Sequence, residues 1–342
     1  MLDGGSTRGR TGSATVTDSR IVRLTSSSAA QRGRVPDFFI VGQPKTGTTA
    51  LFRMIGSHPQ IFMPRIKEPH FLATDQNRQQ TRQSEPVPDT FEEYLALFEM
   101  ARPDQRVGEA STSYLQSGVA ASNIKALQPS ARVIAILREP ASLLRSLHLH
   151  LLKMEWETEE SLREAMRLEA DRRLGLRIPR AAGLPQQLLY SDQVRYVEQL
   201  RRYHSVFGQD QVLVLIYDDF RQRNAVTVRE VLRFLDVDDS FPVDLAEANP
   251  TVRVRSRHFY DLVNAVSAGR GPVLQSVKAG TKALTPQAFR RRVLTRLMYG
   301  TPPPADERLM QELRRRFEPE VVALSEYLGR DLVTLWGYDS VG

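Results

Sequence analysis

The chain has 342 residues, 41% of them apolar, enough for one large α/β domain with a substantial core. Its formal charge of +7 does not mark a nucleic-acid-binding surface. Residues 1–34 carry six Arg against Asp3 and Asp18, so most of the excess belongs to that leader. With no cysteine there is no disulfide framework, no thiolate metal site and no cysteine nucleophile.

Residues 1–34 are rich in Gly, Ser, Thr and Arg without a sustained period and read as a disordered basic leader; one ordered domain is expected over 35–342. The leader lacks the apolar stretch of a secretion signal, and no apolar run approaches the roughly 20 residues that span a bilayer. A cytoplasmic protein without a membrane span is therefore expected, with an Arg- and Ser-rich transit peptide as the alternative reading of the leader.

Asp37 to Val41 reads as a buried strand, and Thr48 to Ser57 as a helix with Leu51, Met54 and Ile55 on one face. Arg132 to Leu137 is a second buried strand, followed after Glu139 by a helix with Pro140 in its first turn. Glu155 to Arg173 has the pattern of a charged helix, either a solvated one or a lid over an acceptor. A helix is expected over Gln193 to Tyr203, a third strand over Gln211 to Tyr217, and a further helix over Val226 to Leu235. Beyond Asn249 the chain is Arg-rich and helical in pattern, and a Pro302-Pro303-Pro304 break precedes a last amphipathic helix. Strands apolar on both faces that alternate with helices predict an α/β protein: a central parallel sheet flanked by helices, with ligands at the carboxyl ends of the strands.

Between the first strand and helix lies Gly42-Gln43-Pro44-Lys45-Thr46-Gly47-Thr48-Thr49. It keeps the two glycines and the hydroxyl residue of a nucleotide-binding loop, but Thr48 stands where that loop has its lysine. The backbone amides and threonine hydroxyls can still cradle a phosphate, and Lys45, displaced into the turn, can reach the group attached beyond it. The second strand ends in Arg138, where a metal-dependent phosphotransferase would be expected to carry an acid, so direct charge pairing is expected in place of magnesium. Ser146 follows eight residues later, about two helical turns on and on roughly the same face, where it could help grip a second phosphate.

Pro44, Lys45, Gly47, Thr48 and Thr49, with Arg138 and Ser146 in that order, resemble the sulfotransferases that use 3′-phosphoadenylyl sulfate (PAPS), closest to their bacterial and heparan-type branch. The resemblance implies a P-loop-like three-layer fold, PAPS as donor with adenosine 3′,5′-bisphosphate (PAP) as product, and no metal. It implies that Pro44 to Thr49, including Thr46, hold the 5′-phosphate and that Arg138 and Ser146 hold the 3′-phosphate. It further implies that Glu68, in Lys67-Glu68-Pro69-His70-Phe71, is the general base, with His70 as the rival. Tyr190 becomes a possible adenine contact, with a packing tyrosine as the alternative, and Arg257 a possible cover for the 3′-phosphate. The branch carries a lysine where this chain has Ala110; Lys67 is the substitute available. The acceptor is expected to be a hydroxyl or amine of a carbohydrate, lipid or natural product, with no nucleic-acid partner and no prediction of oligomeric state. Only six of the 47 basic residues are lysines, a bias that agrees with a high-GC bacterial source. The competing enzyme reading is a small-molecule kinase dependent on Mg-ATP.

Overall fold

A computed structural model of the chain describes residues 33–76, 87–242, 253–254, 299–300 and 304–340. The leader through residue 32 and Arg257 lie outside them. Five parallel strands form the central sheet: β1 (Phe38–Ile40), β2 (Ile61–Phe62), β3 (Arg106–Ala110), β4 (Arg132–Leu137) and β5 (Val212–Ile216), in the order β2-β3-β1-β4-β5. Residues 253–254 and 299–300 pair separately as two short antiparallel strands.

Side chains alternate across a strand, and here both faces are apolar. Phe39, Val133, Ala135 and Leu137 enter one core cluster; Phe38, Ile40, Ile134 and Ile136 enter the other. Each cluster needs a helical layer to cover it, which makes the fold three-layered. The helices are α1 (Thr48–Gly56), α2 (Phe91–Ala96), α3 (Ser113–Gln116), α4 (Ala120–Leu127), α5 (Pro140–Lys153), α6 (Leu162–Arg167) and α7 (Glu169–Arg173). They continue with α8 (Tyr190–Gln193), α9 (Tyr196–His204), α10 (Tyr217–Gln222), α11 (Asn224–Phe234), α12 (Glu307–Leu328) and α13 (Leu332–Leu335). No described helix is long and apolar enough to cross a membrane.

The predicted strand over Arg132–Leu137 is β4 itself, and the predicted Pro140 start of the following helix is correct, with Glu139 capping it by accepting from the N–H groups of Ala141 and Ser142. The charged helix expected over 155–173 is instead two short helices preceded by an irregular turn in which Glu155 has φ 59°. Nor is the segment merely solvated: Arg172 and Glu157 form a buried ion pair at 2.8 Å, and Glu169 is buried as well.

Strand order reverses between β1 and β4, so the chain leaves β1 on one side of the switch and β4 on the other. In open α/β sheets this is where a crevice for ligands forms. The turn after β1 passes very close to β4: a Cβ on Gly42 would lie 2.8 Å from the Ile136 backbone nitrogen. Gly47, at φ 93°, then starts α1 in a conformation that only glycine adopts without strain.

Candidate active site

The 42–49 loop is braced from within. Thr46 is fully buried and donates its hydroxyl to the Gln43 carbonyl at 2.7 Å, while the Gln43 amide donates to Gln199 of α9 at 2.8 Å. The Thr46 hydroxyl therefore fixes the turn. Lys45 sits at φ 70°, and its carbonyl accepts from Arg138 Nη1 at 2.9 Å. Arg138 thus ties the end of β4 to the loop after β1. Its guanidinium also lies 4.6 Å from the ring centre of Tyr217, the first residue of α10, and its carbonyl accepts from Tyr196 at 2.7 Å. Thr48 opens α1, Thr49 follows it, and Ser146 is buried on α5.

The second part of the site comes from the turn after β2. Glu68, at φ 63°, is ion-paired with Lys67, lies 3.6 Å from His70 Nε2, and accepts from the Thr112 hydroxyl at 3.3 Å. Its own N–H donates to the Ala110 carbonyl at the end of β3, 2.9 Å away. Burial by itself would raise the Glu68 carboxyl; the Lys67 ammonium and His70 outweigh it and hold the group at about 2. Lys45 is lowered by burial and by the cations Lys153 and Arg138, with Glu68 opposing. His150 is pushed down to about 4 by burial and by Lys45, Lys153 and Lys67, again against Glu68, so it is neutral at pH 7. These mutual influences join the 42–49 loop, the 67–70 turn, the end of β4 and the last turn of α5 into one site. Lys45 thus feels Lys153 and Arg138 on one side and the Glu68 carboxylate, paired with Lys67, on the other, an arrangement suited to a polyanion beside a base.

Three residues of this site escaped sequence reasoning. His150 and Lys153 lie four and seven residues past Ser146, the spacing of one helix face, so extending the Ser146 stripe along α5 would have found them. Tyr217 ends the third predicted strand, at the edge where a parallel sheet presents its ligands. Tyr190, by contrast, is fully buried, with its hydroxyl donating to Glu157 at 3.0 Å and its ring beside His148. A ring with no exposed surface has no face to offer adenine, and this geometry is that of the packing alternative. The sequence reading also found no acid at a strand end near the loop. The structure supplies one, Glu109 in β3, but it is enclosed and its oxygens accept from three hydroxyls. Among the described residues no three His, Asp or Glu side chains gather as metal ligands would.

A parallel sheet with a glycine-bearing loop at its switch point, a strand-end arginine and a half-buried carboxylate paired with a lysine is an architecture suited to nucleotide-dependent group transfer. A family model described as the Sulfotransferase family matches residues 36–241, and the chain belongs to that family. Carbohydrate sulfotransferase 15 of Homo sapiens is 28% identical over 251 residues, covering 59% of this chain and 44% of the relative; that of Mus musculus matches equally. The chain thus spans under half the length of these curated relatives. Among solved structures, a sulfotransferase from Alicyclobacillus acidocaldarius superposes with a TM-score of 0.63 at 26% identity, covering 89% of this chain and 99% of that one. The chain has the P-loop-like fold that the resemblance implies.

Three residues beyond the matched segment still bear on the site. Tyr338 donates to Glu139 Oε1 at 2.8 Å, Trp336 to Asp218 Oδ2 at 2.9 Å, and Arg330 pairs with Asp219. Glu139 follows Arg138 and Asp218 follows Tyr217, so the loops around the last helix, α13, buttress both strand ends.

Proposed function

We propose that the enzyme transfers the sulfuryl group from PAPS to a hydroxyl or amine of a carbohydrate acceptor. The observation that carries this reading is the bond from Arg138 to the Lys45 carbonyl, which couples the loop after β1 to the end of the adjacent strand β4. PAPS carries one phosphate in its phosphosulfate and another on the 3′-oxygen, and this pairing of elements matches both.

The loop amides with Thr48 and Thr49 hold the 5′-phosphate, and Arg138 with Ser146 holds the 3′-phosphate. Glu68 takes the proton of the acceptor as its oxygen or nitrogen bonds to sulfur. The sulfur–oxygen bond to the 5′-phosphate breaks, the electron pair leaves on that phosphate, and the products are the sulfated acceptor and PAP. Lys45 neutralises charge growing on the departing oxygen, a gain larger in the transition state than in the ground state. A carboxyl held at about 2 is a weak base. Transfer of Lys67 from Glu68 to the sulfuryl oxygens both raises Glu68 toward the ordinary carboxylate range and supplies the cation missing at Ala110. His70 orients Glu68, and His150, being neutral, contributes a hydrogen bond.

The acceptor class rests on the relatives' description as carbohydrate sulfotransferases. The test is transfer of radiolabel from PAPS to a panel of polysaccharides, simple phenols and lipid alcohols. Label is expected on a polysaccharide; label confined to phenols or lipids would remove the carbohydrate assignment and leave the transfer reaction standing.

A further inference from the structure

Glu109, at the end of β3, has no exposed surface. Three hydroxyls donate to it: Ser111 at 2.6 Å, Tyr114 at 2.8 Å and Tyr94 at 2.9 Å. A hydroxyl has one proton, so Ser111 and Tyr114, having given theirs to Glu109, face their other neighbours as acceptors. Those neighbours are the backbone N–H of His70, 3.0 Å from Ser111, and of Leu72, 3.1 Å from Tyr114. Each hydroxyl therefore relays the carboxylate to the turn that carries Glu68. That turn needs support: Glu68 and His70 have φ of 63° and 55°, where side chains are disfavoured.

We propose that Glu109 is a positioning residue which, through the hydroxyls of Ser111 and Tyr114, fixes the 68–72 turn and so aims Glu68 at the acceptor. The proposal deepens the reading above and rests on Glu68 being the base. Glu109 is enclosed and touches neither substrate; its influence runs through the hydroxyls. Burial raises its carboxyl, the three hydroxyls and Lys67 oppose that rise, and the group is left at about 7; three donors on its two oxygens are the geometry of the ionised form. A glutamine of the same shape offers an N–H₂ group in place of one acceptor oxygen. At least one hydroxyl must then turn its proton away and reorient, which loosens its hold on the turn.

Glu109→Gln is expected to lower kcat about 30- to 100-fold, since a misplacement near 1 Å costs about that much. Its Kd for PAP should stay within about threefold of wild type, a separation that general loss of structure does not produce. Ser111→Ala should give a similar loss, and the double variant should lose little more, because both changes cut one relay. The proposal is overturned by Glu109→Gln with kcat near wild type, by single losses that multiply in the double variant, or by PAP binding that falls as far as kcat. Should Glu109→Gln not fold, Ser111→Ala decides alone: a kcat loss with intact PAP binding supports the relay, and normal kcat overturns it. Glu68→Gln, run in the same assay, separates the two layers. If it retains turnover the base assignment fails; if it is inactive while Glu109→Gln is fully active, only the positioning role fails.

Discussion

Glu68→Gln lowers kcat by about 100-fold or more, the usual cost of removing a general base, and leaves the Kd for PAP within a few-fold of wild type. The separation follows from geometry. Glu68 sits on the turn after β2 with its charge facing Lys67 and His70, while the elements proposed to hold the phosphates are the 42–49 loop and the end of β4. Glutamine preserves the shape and the Ala110 backbone contact but cannot take a proton. It also releases Lys67 from its ion pair, which favours an anionic ligand and argues against any loss of PAP binding. Turnover near wild type, together with a severe loss in His70→Gln, would move the base to His70, whose Nδ1 is 2.7 Å from Ser113 Oγ.

Arg138→Ala discriminates between two nucleotides. Binding of adenosine 3′,5′-bisphosphate is expected to weaken about 100-fold, since a hydrogen bond to a charged group contributes about 1.5–3 kcal/mol and a guanidinium can offer two at once. Adenosine 5′-monophosphate should lose only several-fold. That smaller loss reflects the Lys45 carbonyl, which gives up its Arg138 partner and leaves the left-handed turn less firmly held. Arg138→Lys should fall between, as a point charge replaces a planar fork over Tyr217. Parallel titrations of both nucleotides give the answer, and equal losses for the two would remove Arg138 from the 3′-phosphate.

What could be read from the sequence depended on whether the signal was local. β4 is apolar along its whole length, which is why its limits were legible, and the loop after β1 announces itself through its glycines. β3 was not found: Arg106-Val107-Gly108-Glu109-Ala110 has neither a long apolar run nor clean alternation. Its reasons are tertiary, because a Cβ at Gly108 would lie 2.2 Å from the Phe38 ring and the Glu109 charge is satisfied by tyrosines from α2 and α3. The 155–173 segment misled in the opposite direction. Its charges repeat as on a solvated helix, yet Arg172 and Glu157 pair inside the protein, and a charge pattern carries no information on which charges face inward. In the site, Lys45, Glu68 and Arg138 were named from motifs, whereas His150, Lys153 and Tyr217 entered only when helix α5 and strand β5 were placed beside them.

The most direct test of the account is a calorimetric titration of the protein with adenosine 3′,5′-bisphosphate in the presence of EDTA, beside a second titration with ATP and magnesium. Tight binding of the bisphosphate without metal, and weak or no binding of Mg-ATP, is the result that the coupled Lys45 and Arg138 elements require. Binding of Mg-ATP alone would contradict the account and make the protein a phosphoryl-transfer enzyme.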